Sequence, residues 1–89
     1  MNLLKTFIAA LILSSSSLAL AGADCPAAPK EKWMPEAKMK EMILSQGYKI
    51  KKFKVDGNCY EIYGWDKEGK KVEIYYNPVD GSVVKEVKK

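Results

Sequence analysis

Between positions 48 and 55 the apolar residues Tyr48, Ile50, Phe53 and Val55 alternate with Lys49, Lys51, Lys52 and Lys54, and the doubled lysine shifts the phase by one. Period-two alternation marks a strand with one buried face. A β-bulge at Lys51-Lys52 restores the phase and keeps the four apolar residues on a single face. Asp56-Gly57 supplies the preferred dipeptide for a two-residue hairpin turn. A second strand follows over 58–65, and Asp66-Lys67-Glu68-Gly69 suits a three-residue loop with Gly69 in the left-handed position. That loop pairs Gly64 with Val72, Ile62 with Ile74 and Tyr60 with Tyr76. One face then carries Tyr60, Ile62, Gly64, Val72, Ile74 and Tyr76. The other carries Cys59, Glu61, Tyr63, Trp65, Lys71, Glu73 and Tyr75. A two-residue Glu68-Gly69 turn mixes these faces and is rejected. Asn77-Pro78-Val79-Asp80-Gly81 predicts a third turn, and 82–87 a short last strand with frayed lysines beyond it.

Upstream, Ala37, Met39, Met42, Ile43 and Leu44 recur at helical spacing, with Lys38, Lys40 and Glu41 on the opposite face. Pro35 costs nothing in a first helical turn, and Glu36 beside it complements the helix dipole. Gly47 supplies a left-handed stop, after which Tyr48 folds back on the last turn. The predicted helix is 35–46, and its methionines read as core filler rather than ligands. Gly64 thins its strand where the helix comes close. Residues 24–34 have no periodicity and form an extended arm, held at its start by Cys25 and ending in a core anchor, Trp33. The expected fold is α+β: one helix packed across a three- to four-stranded antiparallel meander, with one disulfide.

The first 23 residues change the picture of the compartment. A short head with Lys5 precedes the apolar run from Phe7 to Leu13, and small residues between Leu18 and Ala23 have the spacing a signal peptidase reads. The run breaks at Ser14, short of the roughly 20 apolar residues a bilayer span requires. A cleaved signal peptide over 1–23 is therefore expected, with Ala23 favoured over Ala21, and no transmembrane segment afterwards. Asp24 stands where lipid attachment at Cys25 needs a small residue. The remaining chain, periplasmic or secreted, is at the small end for independent folding. Its two cysteines, Cys25 and Cys59, then form a structural disulfide by default. A loop of that length stabilises the fold by about 3–4 kcal/mol in the chain-entropy model. Redox-active or metal-binding thiols lack support, since there is no Cys-x-x-Cys and no histidine in the 89 residues.

The order of motifs resembles a known family. Trp33-Met34-Pro35-Glu36 opens the helix and Gly47-Tyr48 closes it. Asp56-Gly57-Asn58-Cys59-Tyr60-Glu61-Ile62-Tyr63, Asp66-Lys67-Glu68-Gly69-Lys70-Lys71-Val72-Glu73 and Asn77-Pro78-Val79-Asp80-Gly81 follow. Together they resemble the PepSY domain family in its small stand-alone form, over residues 35–89 and the arm before them. The resemblance implies a non-catalytic binding module that regulates or inhibits proteolysis; with no protease domain attached, inhibition in cis is not expected and inhibition in trans is left open. The family has no defined active-site residue to carry across.

The residues themselves agree. Without histidine no Ser-His or Cys-His pair exists. Glu61 and Glu73 face each other across strands, but lysines nearby make ion pairing the expected role. Asp56, Asp66 and Asp80 each sit in a turn that explains them without calcium. No cofactor or metal is expected. The chain is basic through lysine alone, with formal net charge +4, and the lack of arginine forks argues against nucleic acid. Two candidate surfaces remain. Tyr63, Trp65 and Tyr75, with Glu61 and Glu73 among them, form a face without obvious cover that suits a protein or peptide partner, a protease among them, or a weak homodimer of an otherwise monomeric chain. The competing expectation is that the arm 26–32 covers that face. Lys49, Lys51, Lys52 and Lys54 form a basic edge that suits acidic polymers or anionic lipid surfaces, or only keeps a sheet edge soluble.

Overall fold

The computed structural model describes residues 22–89; the expected signal peptide lies outside the described residues apart from Gly22 and Ala23. Helix α1 is Glu36–Ser45, followed by strands β1 (Lys49–Asp56), β2 (Cys59–Trp65), β3 (Lys71–Tyr76) and β4 (Val83–Lys88). The strands form one antiparallel sheet in the order β1-β2-β3-β4, a meander. Pro35 caps α1 from outside, its carbonyl accepting the Lys38 and Met39 amides at 3.0 Å. At the other end Gly47 takes φ +96° and its amide donates to the Leu44 carbonyl at 3.0 Å. The predicted helix is thus longer than α1 by one residue at each end.

The inner face of the sheet holds the core. Met39 and Ile43 of α1 pack on Tyr60, Ile62, Val72, Ile74 and Tyr76, with Trp33, Met34, Met42, Tyr48, Ile50 and Phe53 around them. The apolar stripe of α1 is narrower than its spacing predicts: Ala37 is exposed and Leu44 is 53 % exposed. Val55 shares the inner face with its partner Tyr60 but stays half open beside the hairpin turn. Trp33 is the expected anchor, edge-on to Tyr60 at 5.2 Å, and the Tyr60 hydroxyl donates to the Met34 carbonyl at 2.6 Å.

The β2–β3 register is the predicted one, Tyr60 with Tyr76, Ile62 with Ile74 and Gly64 with Val72. The bulge in β1 also occurs, between Ile50 and Lys52. The first hairpin turn differs. Asp56 pairs with Cys59, so the two-residue loop is Gly57-Asn58 rather than Asp56-Gly57. Gly57 alone has positive φ there, +61°, which fits a turn needing glycine only at its first central position. The register moves by two residues, and the faces are preserved.

Two further expectations are corrected. Gly64 is not thinned for the helix: a Cβ there would stand 1.9 Å from the Lys49 carbonyl oxygen, so the bulged backbone of β1 is what needs the space. The terminal lysines do not fray. Lys88 Nζ lies 3.1 Å from Asp66 Oδ2, and the Lys89 amide donates to the Lys71 carbonyl at 2.9 Å. The arm also contains a 3₁₀ turn at Lys30–Lys32. Cys25 and Cys59 form the expected disulfide, with Cα atoms 5.4 Å apart. Among the described residues no helix is long and apolar enough to cross a membrane.

Candidate functional site: the outer face of the sheet

Antiparallel partners project to the same side of a sheet. Lys49 pairs with Trp65, Lys52 with Tyr63 and Lys54 with Glu61. Tyr63 in turn pairs with Glu73, Trp65 with Lys71 and Glu61 with Tyr75. The lysines of β1 and the aromatics of β2 therefore stand on one surface, the side away from α1. The bulge makes this possible, because it turns Ile50 and Phe53 both inward and leaves the lysines outward. The two candidate surfaces drawn from the sequence are one surface.

The aromatics on it are not equivalent. Tyr75 is only 5 % exposed, packed with Cys25, Cys59 and Ala23. Lys85 Nζ donates to the Gly22 carbonyl at 2.8 Å and stands 5.9 Å from the centre of the Tyr75 ring. In the described chain the cover thus comes from residues 22–25, not from 26–32, and a chain cleaved after Ala23 keeps Cys25 of it. Pro26 and Ala27 are exposed, and the chain returns to the inner face at Trp33. The disulfide explains the difference, since it clamps the start of the arm directly over one end of the face. Tyr75 therefore leaves the open surface. Tyr63 and Trp65, beyond the arm, are half-buried.

Glu61 and Glu73 lie between these aromatics as a coupled pair. Glu61 is 2 % exposed. Burial pushes its carboxyl up first, and the hydrogen bond and charge of Glu73 push it further. Glu73 is held down, to about 2, chiefly by the hydrogen bond from Glu61 and then by Tyr75 and Lys89. Burial beside a neighbouring carboxylate accounts for the upward direction at Glu61, whose Oε2 has no hydrogen-bond partner among the described residues. The Tyr75 hydroxyl donates to Glu73 Oε2 at 2.9 Å, and Lys89 Nζ is 3.3 Å from Glu73 Oε1. Lys54 Nζ stands 4.0 Å from Glu61 Oε1 and 5.7 Å from the centre of the Tyr63 ring. Of the lysines expected to pair with these carboxyls only Lys54 comes within 4.0 Å, of Glu61, and Glu73 takes Lys89 instead.

Three depressions meet around Tyr63 and Trp65. One of about 310 Å³ is lined by Lys51, Tyr63, Trp65, Lys71 and Lys89, among others. Another of about 380 Å³ lies between Tyr63 and Lys51, Lys52 and Lys54. A third, about 550 Å³, opens on the far side of Trp65 against Gly47, Lys49 and the loop from Asp66 to Gly69. The loop wall is rigid: Asp66 Oδ1 accepts the amides of Glu68 and Lys70, both at 2.9 Å, and these bonds with Lys88 lower its pKa. Sequence reasoning named Tyr63, Trp65 and the β1 lysines but not Lys71 or Lys89 as wall residues. The predicted pairing of strands already implied Lys71; nothing local in the sequence marks Lys89.

A family model described as "Peptidase propeptide and YPEB domain" matches residues 4–87. No curated protein matches the chain. No solved structure matches it either.

Proposed function

The chain belongs to the PepSY family of peptidase propeptide and YPEB domains, and from that premise we propose that it is a small exported binding module, not an enzyme, that regulates or inhibits a protease or another envelope protein. The observation that carries this reading is the joint placement of Tyr63 and Trp65 with the lysines of β1 on the side of the sheet that α1 leaves open. Half-buried aromatics ringed by long cationic side chains have the composition of a protein-binding surface, where Trp and Tyr anchor and flexible charges guide approach. The helix offers a weaker rival, because Met39, Met42 and Ile43 are spent on the core and Leu44 stands exposed among polar neighbours. Affinity capture from envelope extract tests the reading. Wild type retains one or a few proteins that Trp65→Ala loses, whereas identical recovery by both removes the outer face from the account.

A second reading rests on the same lysines. Lys49, Lys51, Lys52 and Lys54 on one surface suit an acidic polymer or an anionic lipid layer. Retention on anionic vesicles that falls steeply with salt favours this reading; salt-independent retention, or none, counts against it.

A further inference from the structure

We propose that the outer face takes an acidic polypeptide segment in extended conformation, laid along β2 over Tyr63 and Trp65; this rests on the binding-module reading. The lysines of this face carry charge that has nowhere to go. Glu61 and Glu73 are the carboxylates standing among the lysines of this face: Glu73 is engaged by Tyr75 and Lys89, and Glu61 is buried with Lys54 at 4.0 Å. Among the described residues no carboxylate pairs with Lys51, Lys52 or Lys71. A positive field over half-buried rings therefore stays uncompensated, and an anionic partner is its electrostatic complement.

The arrangement of that charge selects the partner's shape. The rings of Tyr63 and Trp65 form a floor between two cationic walls, Lys51 and Lys52 from β1 on one side, Lys71 and Lys89 on the other. Side chains of an extended segment alternate from side to side, and next-nearest residues repeat at about 6.6 Å, the same repeat that separates Tyr63 from Trp65 along β2. Glutamates or aspartates at alternate positions meet the lysine walls while apolar residues between them rest on the rings. A lipid surface is flat and has no use for walls on both sides of a floor. Nucleic acid would draw on arginine forks, and the chain contains no arginine.

Fluorescence anisotropy with the full-length processed protein decides the matter. The probes are a labelled short peptide of alternating Glu and Leu, its counterpart with Gln for Glu, and vesicles of phosphatidylcholine with and without phosphatidylglycerol. The Glu peptide binds at least about tenfold tighter than the Gln peptide, and the difference shrinks on raising salt. Lys51→Glu and Lys71→Glu, both at exposed positions, each weaken the Glu peptide about tenfold with unchanged circular dichroism. Equal affinity for the two peptides, or charge reversals without effect, overturns the proposal. Vesicle retention that depends on phosphatidylglycerol and exceeds peptide binding also overturns it, in favour of a lipid. If the peptides fail while Trp65→Ala still loses a captured protein, the acidic chemistry is wrong and the binding-module reading survives.

Discussion

A methyl group at position 64 would meet the Lys49 carbonyl oxygen at 1.9 Å and the Ile50 Cα at 3.2 Å, both backbone atoms that cannot swing aside. Gly64→Ala must therefore push β1 away or undo its bulge, at roughly 2–3 kcal/mol by the scale of overpacked cores. Urea denaturation reads the loss, and the bulge is what turns the β1 lysines outward, so binding through the outer face weakens with it. The Glu61–Glu73 pair has a pH signature of two opposite signs. Glu73 sits below its ordinary 4.5, at about 2, so it adds stability above pH 4.5 that disappears as pH falls towards 2. Glu61 is raised, so its ionisation costs stability as pH rises through its folded value. Urea midpoints stepped from pH 2 to pH 7 should rise through the acid range in wild type. Glu73→Gln flattens that rise. Glu61→Gln, which removes a carboxyl whose ionisation burial opposes, is at least as stable as wild type at neutral pH.

Among the elements, the meander was legible because turn length and alternation agree. Three residues between Asp66 and Lys70 set the β2–β3 register, and the doubled Lys51-Lys52 announced the bulge. The first hairpin misled because Asp-Gly and Gly-Asn turns overlap in the same three letters, and only backbone φ chooses between them. Leu44 misled because helical spacing marks positions around a stripe, while the width of the stripe depends on what the sheet presents opposite. The path of the arm was legible only at its ends. A disulfide brings Cys25 to Cys59, but spacing cannot say that Ala23 and Cys25, rather than 26–32, will close over Tyr75. Reduction tests that element directly. Breaking the bond across a separation of 34 residues should cost about 3–4 kcal/mol of stability, read from urea midpoints with and without reductant. It also releases Cys25 from Tyr75, so the ring gains solvent access, visible as an increase in its oxidative footprint.

At the scale of the molecule, the sheet divides two tasks. Its inner face is filled by α1, Trp33 and the aromatic core, and its outer face by a coupled carboxyl pair, two half-open rings and lysines from β1, β3 and the C-terminus. The partition follows from one bulge and one three-residue loop. Fold legibility and site legibility diverge here for a physical reason. Core positions repeat with the period of the strand, whereas the candidate binding face is assembled from neighbours on different strands and from Lys89, which no periodicity marks. The proposed binding role requires that partners meet the outer face. A photo-crosslinking amino acid placed at position 63 or 65, and separately at the exposed helix positions 38 or 41, tests it in the living cell without the partner being known in advance. Discrete protein adducts are expected from 63 and 65, and none from 38 and 41. Adducts from the helix positions with none from the sheet would contradict it.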